Sequence, residues 1–364
     1  MFLALLALCI WVYLFAAHGR FWASDPALRP AVPSLAADVD IIVPARDEAA
    51  TIASVVASLL SQQYAGRFRI TLVDDNSSDD TAALAGQAEN LAVLRLTEKP
   101  AGWSGKLYAL AQGVKATNAP LILFTDADIV HDPRHLASLV SKLESGDLGM
   151  MSEMVRLNCR SFAERALIPA FVYFFQMLYP FRLVNDPRSR TAAAAGGTVL
   201  ISRGVLDRIG GIESIKDALI DDVTLAQAVK KTAPVYLGHS DLARSIRPYP
   251  RFRDIWNMIA RTAFTQLRYS SLLLMGTLLG LLLVWWVPVG AALFGNDVAR
   301  GCGLAACVLA FISFLPTLRR YRLSPTWGLA LPLIALFYMA ATLASAVNHW
   351  RGSGASWKRR YYDS

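Results

Sequence analysis

The chain has 364 residues, 54% of them apolar and 18% charged, with 36 Lys and Arg against 28 Asp and Glu for a net charge of +8. Soluble domains carry roughly 25% charged residues, so this composition excludes a disordered chain, and the clumping of the apolar residues argues against a wholly soluble one. The length predicts about two domains, and the four Cys, without a CxxC spacing, support neither a zinc module nor a disulfide scaffold.

Residues 2–17 (FLALLALCIWVYLFAA) form an uncharged run just long enough for a short or tilted span. The run lacks the basic start of a cleaved signal peptide, so 1–20 reads as an N-terminal membrane anchor with Arg20 inside. Three prolines within 24–38 make 21–38 a linker. From 39 to 250 short apolar runs (VDIIVPA, RITLVDD, NLAVLRL, PLILFTDAD) alternate with helical stretches. That alternation predicts an α/β domain with a mostly parallel sheet and helices on both faces. Polar residues gather where those runs end, at the edge where open α/β sheets bind ligands.

The apolar run 166–184 could be a further span, but a crossing there would part Asp126 and Asp128 from Asp221 and Asp222, and Pro169 and Pro180 interrupt it. It reads as a membrane-lying element of the 39–250 domain. Over 251–269, Phe252, Ile255, Trp256, Ile259, Ala263 and Leu267 recur at helical spacing among arginines, the pattern of an interfacial amphipathic helix or of a packed surface helix. Runs 271–294, 302–318 and 326–347 predict C-terminal transmembrane helices over 270–348, followed by a basic tail, 349–364. Basic residues beside apolar runs indicate a cytoplasmic membrane surface rather than nucleic acid. With the domain inside, three crossings would export the tail with Arg351, Lys358, Arg359 and Arg360, against the positive-inside rule; either one run is re-entrant or the tail is an exception.

Five features bear on chemistry. Asp126 and Asp128, two apart at a strand end, can share one hard cation, Mg²⁺ or Mn²⁺, with phosphate oxygens and water. Asp221 and Asp222 begin a helical stretch, where they either cap the helix or supply a general base. Gly102 to Lys106 (GWSGK) opens a helix and either cradles a phosphate, with Lys106 adding charge, or is a plain loop. Asp74 to Asp79 (DDNSSD) combines a helix-capping acid with acids that can accept from a nucleobase or ribose. Ala192 to Gly197 (AAAAGG) offers either a backbone surface for substrate or tight packing, with Gly196 and Gly197 near an acceptor. His131 and His135 are four apart, but Asp132-Pro133 reads as a helix start that leaves His131 outside, which argues against a His–His metal site.

In order, VPARDE, VDDNSSDDT, GWSGK, TDAD, AGG and DD resemble the motifs of family 2 glycosyltransferases with a GT-A fold, over about residues 38–250. GWSGKLYAL, TDADIVH, LIDDVTLA, TAFTQLRYS and WKRRYY are similar to the hopanoid-biosynthesis-associated members, and more distantly to ceramide glucosyltransferases. The resemblance implies a metal-dependent, membrane-bound inverting transferase, in the inner (cytoplasmic) membrane with its catalytic domain facing the cytoplasm. It implies a nucleotide-sugar donor, a UDP-sugar, and a lipid hydroxyl acceptor, with a hopanoid as candidate. Carried onto this chain, it places Pro44, Arg46, Asp47, Glu48 and Asp75 at the nucleotide, Lys106 at the diphosphate, Asp126 at ribose or metal, Asp128 at Mg²⁺ or Mn²⁺, and Asp222 as base beside Asp221. The (Q/R)xxRW signature of polymer-making and ceramide-type members is replaced by Gln266-Leu267-Arg268-Tyr269, which leaves Arg268 as a looser candidate for the diphosphate. A polyprenyl-phosphate sugar transferase and an inactive GT-A scaffold in a lipid-modifying complex are the alternative readings.

Overall fold

A computed structural model describes residues 1–216, 218, 221–351, 356–357 and 360–361. The chain divides into two compact units. The described residues within 25–158, 183–248 and 356–364 form one, and those within 1–24, 159–182 and 249–355 the other. Most of the basic tail, including Lys358 and Arg359, lies outside the described residues, as do Leu219 and Ile220 of the LIDDVTLA segment.

The first unit is built on eight strands: β1 (Val39–Ala45), β2 (Phe68–Asp74), β3 (Leu91–Arg95), β4 (Leu121–Thr125), β5 (Ile129–His131), β6 (Met150–Arg156), β7 (Thr198–Ser202) and β8 (Val235–Ser245). Their order is β3-β2-β1-β4-β7-β6-β8-β5. Pairing is parallel among β3, β2, β1 and β4 and between β6 and β8, and antiparallel where β7 meets β4 and β6 and where β5 meets β8. Every residue of β1 and of β4 is buried, as expected of central strands covered on both faces, which is why they appear in the sequence as unbroken apolar runs. Asp40 is tolerated inside β1 because its carboxylate accepts from the N–H groups of Asn118 (2.9 Å) and Ala119 (2.7 Å).

Register explains why the polar ends converge. Ala45 at the end of β1 lies opposite Asp74 at the end of β2, and Phe124 of β4 lies opposite Ile42 of β1. Because β7 runs against β4 with Thr198 opposite Thr125, the segment entering β7, Ala192 to Gly197, returns to the edge that β4 leaves. Above this edge the helix Gly105–Lys115 starts at Ser104, whose hydroxyl caps Leu107 N–H at 3.2 Å. It rests closely on the sheet at Gly113, where a Cβ would come within 2.5 Å of Ile42. Lys106 is thereby held over the strand ends.

The second unit is helical. Three stretches, Ser271–Phe294, Asp297–Arg320 and Pro325–Trp350, are long and apolar enough to cross a membrane, and Phe2–Ala16 is a shorter apolar helix. Several of its polar groups find partners inside the unit, as an apolar environment favours. Trp11 donates to the carbonyl of Val284 (2.9 Å) where the first long stretch takes a π-helical turn, Leu282–Trp286. Tyr338 donates to Leu167 O (2.9 Å), and the Tyr173 and Ser313 hydroxyls meet at 2.6 Å. The 166–184 segment is helix Phe162–Leu178, with Pro169 inside it, then a break at Pro180 and a short turn Phe181–Asn185. Ile168, Ala170, Val172 and Tyr173 of that helix are fully buried. The apolar stripe of helix Phe252–Gln266 buries Ile255, Ile259 and Phe264, and Phe264 N–H donates to Ser345 Oγ (3.0 Å) of the last long helix, while Phe252 stays exposed.

Candidate active site

Three segments bring charge together at the carboxyl edge of the sheet. Lys106 Nζ lies 3.0 Å from Asp126 Oδ1 at the end of β4 and 3.2 Å from Asp221 Oδ2 at the start of helix Asp221–Val229. Burial opposes the ammonium, but the negative charge of Asp126, Asp221 and Asp222 outweighs it and raises the Lys106 pKa above its ordinary value. Asp222 is next to Asp221 on the same turn, with Oδ1 accepting from Val223 N–H at 2.8 Å. Burial, then the charge of Asp221, push the Asp222 carboxyl up to about 7, against the pull of Lys106 and of the Val223 and Gly196 N–H groups. Asp126 is also raised, first by burial, with Lys106 opposing. Pro44, Lys106, Asp126, Gly196, Asp221 and Asp222 line one cleft of about 370 Å³ including its open mouth, whose floor is Leu110, Phe124 and Val199.

The AAAAGG segment satisfies both readings left open by its sequence. Ala192, Ala193, Ala194 and Ala195 are buried, which is packing, while Gly196 lies at the cleft. A Cβ on Gly196 would stand 3.1 Å from Asp222 Oδ2 and 3.4 Å from Lys106 Nζ, so a side chain there would press on both. The carbonyl of Gly197 accepts from Asp126 N–H (3.2 Å) and from Thr125 Oγ1 (3.0 Å).

Asp128 belongs to an adjoining cluster. Arg247, two residues past β8, donates from Nε to Asp128 Oδ2 at 2.8 Å and from Nη2 to Glu48 Oε1 at 2.5 Å, and Ser245 Oγ also reaches Asp128 Oδ2 at 3.2 Å. Asp126 and Asp128 thus face different cations, Lys106 and Arg247. Among the described residues no three His, Cys, Asp or Glu side chains form a metal-binding group. The donor set still fits a hard divalent ion that takes one or two carboxylates and completes its shell with phosphate oxygens and water. Arg247 and Ser245 both engage Oδ2 of Asp128, so Oδ1 is the oxygen that could serve such an ion.

The remaining candidates at the strand ends bind one another. Arg46 donates to the backbone carbonyl of Asp75 and lies 3.7 Å from its carboxylate, whose side chain is only 2% exposed. A base would reach Asp75 only after local opening. Asp47, in a left-handed conformation (φ 50°), accepts from Ser78 N–H at 2.8 Å, and Asp79 accepts from Ala49 N–H at 3.1 Å and Thr81 N–H at 3.0 Å. These bonds stitch the loops after β1 and β2 together. Arg268 lies in the helical unit, just past helix Phe252–Gln266, with φ 51°.

Sequence reasoning missed Arg247. No strand end marked it, because β8 (VYLGHSDLARS) does not read as an apolar run and Arg247 stands two residues past it. The helix after β5 starts at His135 rather than at Pro133, because Asp132 Oδ1 folds back onto Arg134 N–H (3.0 Å) in a turn that precedes it. His131 does lie outside that helix, in β5.

This architecture, with its catalytic-type edge and appended apolar helices, is a GT-A fold. It resembles the mannosyltransferase PcManGT from Pyrobaculum calidifontis, described in complex with GDP-Man and Mn²⁺, with a TM-score of 0.57 and 19% identity over 94% of this chain and 99% of that one. The chain belongs to glycosyl transferase family 2, whose family model matches residues 40–210. It is 30% identical over 127 residues to an N-acetylglucosaminyltransferase of Bradyrhizobium elkanii, covering 33% of this chain and 68% of that relative. It is 25% identical over 269 residues to a beta-monoglucosyldiacylglycerol synthase of Trichormus variabilis, covering 66% of this chain and 55% of the relative's length. The matched family region includes Asp126 and Asp128 but ends before Asp221 and Asp222.

Proposed function

We propose that the chain is a membrane-bound inverting glycosyltransferase that moves a sugar from a nucleotide-sugar donor, a UDP-sugar, to a lipid hydroxyl, with a hopanoid as the candidate acceptor. The observation that carries this reading is the cleft that Asp222 shares with Lys106, Asp126 and Gly196, where desolvation and the charge of Asp221 push the Asp222 carboxyl up to about 7. A general base works best when its pKa lies near the working pH. Asp222 takes the proton of the acceptor hydroxyl as that oxygen bonds to the anomeric carbon. The bond from that carbon to the diphosphate breaks on the opposite face, and the configuration inverts. Lys106 offsets the negative charge gathering on the leaving diphosphate.

Lys106 faces Asp126, Asp221 and Asp222, so with all three ionised the cluster is net negative, and an anionic diphosphate needs further positive charge there. Mg²⁺ or Mn²⁺ held by Asp128 and Asp126 supplies that charge when bound. Pro44, Arg46, Asp47, Glu48 and Asp75 are assigned to the nucleotide, Arg268 to the diphosphate, and Gly196 and Gly197 to the acceptor side. The lipid class is supported by the three long apolar helices and by the glycolipid product in the name of the cyanobacterial relative. The proposal includes the division into anchor (1–20), linker (21–38), catalytic domain (39–250) with its membrane-lying element, interfacial helix (251–269), membrane helices (270–348) and tail. It places the catalytic domain on the cytoplasmic side of the inner membrane.

The test is Asp222→Asn in the full-length protein. Sugar transfer should fall by about 10²–10⁴-fold, the usual worth of a general base, while binding of the donor nucleotide stays within about threefold. Undiminished transfer in Asp222→Asn would contradict the hydroxyl-acceptor reading and favour a phosphate acceptor, which needs no base.

A further inference from the structure

Behind the cleft lies a chain of buried polar groups that the transfer chemistry does not use. Thr125 Oγ1 contacts His131 Nε2 at 3.2 Å, His131 Nδ1 contacts His135 Nδ1 at 2.9 Å, and His135 Nε2 contacts Glu153 Oε1. His135 and Glu153 are at most 1% exposed and His131 is 6% exposed. The hydrogen positions along this chain follow from one fixed end. The carbonyl of Gly197 can only accept, so Thr125 Oγ1, 3.0 Å away, gives it its single proton. Thr125 must then accept from His131, which makes Nε2 the protonated nitrogen and Nδ1 an acceptor. His135 must therefore donate from Nδ1. Its Nε2 then either accepts from a protonated Glu153 or, as imidazolium, donates to an ionised one; the direction downstream is the same in both cases. The pair is neutral overall either way, as its burial requires.

The free end of this chain touches both halves of the candidate site. Thr125 precedes Asp126, and the Gly197 carbonyl that it holds also accepts from Asp126 N–H at 3.2 Å. Gly196, one residue earlier, gives its N–H to Asp222. A second tie comes from the residue beside Glu153, since Ser152 Oγ donates to Ala195 O at 2.9 Å and accepts from Ala195 N–H at 2.8 Å. We propose that Glu153, His135 and His131 are positioning residues: a one-way hydrogen-bond chain that fixes the Thr125 hydroxyl and so holds the Asp126 strand end in register with the Gly196–Gly197 backbone that supports Asp222. This rests on the transferase reading only for its consequence on turnover.

The experiment uses the full-length protein and two independent readouts. In ¹⁵N spectra of the five histidines, assigned with His131→Asn and His135→Asn, His131 should appear as the Nε2–H tautomer with Nδ1 unprotonated, and His135 should carry a proton on Nδ1. A His131 protonated on Nδ1 overturns the proposal whether or not any sugar is transferred. In sugar-transfer assays, Glu153→Leu and Thr125→Val should each lower kcat on the order of tenfold, the scale of lost outer supporting contacts. The double variant should be no slower than Thr125→Val alone, because the chain has already been cut. Glu153→Gln should stay within about threefold of the parent, since its amide can donate to His135 Nε2 and keep the same direction. Multiplying effects in the double variant, or a Glu153→Gln as slow as Glu153→Leu, would overturn the proposal. Should Glu153→Leu fail to fold, Thr125→Val, Glu153→Gln and the tautomer still decide it. A parent protein that transfers no sugar, with the tautomers as stated, fails the transferase reading and leaves the chain standing.

Discussion

Replacing Asp221 by Asn probes how the site tunes its base. In the native cleft Asp222 is pushed up to about 7, by burial first and by the neighbouring charge of Asp221 second, with Lys106 pulling the other way. In the proposed mechanism the deprotonated form is the working base, so activity should fall as pH drops through that value. A carboxyl titrating near 7 is about one-tenth ionised at pH 6 and about nine-tenths at pH 8, so kcat should differ about tenfold between the two. Asp221→Asn removes a like charge beside Asp222 and one of the carboxylates that compete for Lys106, and both changes favour ionised Asp222. The acid limb of the pH profile should move to lower pH, and the ratio of rates at pH 6 and pH 8 should climb towards one even if the absolute rate drops. The assay is initial-rate sugar transfer at saturating donor from pH 5 to 9. An acid limb that stays put, or moves to higher pH, would refute the assignment of Asp222 as base and Asp221 as its tuner.

Arg247→Met leaves Glu48 and Asp128 without their shared cation and should destabilise the protein by about 2 kcal/mol, less than a fully buried pair because the arginine is 30% exposed; chemical denaturation in detergent measures it. Gly196→Ala places a methyl 3.1 Å from Asp222 Oδ2 and should cost on the order of tenfold in kcat, the effect of displacing a reacting group slightly, with donor affinity kept within a few-fold in nucleotide-binding titrations. Chelation of divalent ions should reduce transfer to about one-hundredth or less, several kcal/mol of lost charge stabilisation, and added Mn²⁺ should restore it.

The sheet was legible where physics leaves few choices. β1 and β4, buried on both faces, had to be unbroken apolar runs, and VDIIVPA coincides with Val39–Ala45. β8 was not legible: its centre reads Gly238, His239, Ser240, Asp241, which breaks any apolar run, and the strand is held in part by Asn185 from a distant segment, which bonds the backbone of Leu237 (2.7 and 2.9 Å). The site divides the same way. Lys106, Asp126, Asp221 and Asp222 each sat at an element boundary with a readable chemical reason, and the fold brings them together. Arg247 is 119 residues from Asp128 and 199 from Glu48, and no local spacing rule spans that interval. The His131–His135 pair shows the converse, a spacing that suggests a metal but serves hydrogen bonding, because Glu153 on another strand satisfies the far nitrogen.

The central claim is transfer of sugar from a nucleotide to a lipid. Membranes containing the full-length protein are incubated with Mn²⁺ and a panel of labelled nucleotide sugars, and the organic extract is counted beside an Asp222→Asn control. The account predicts label in the extract from one donor and its loss in the variant. An extract without label for every donor, from folded protein supplied with candidate lipids, would contradict it.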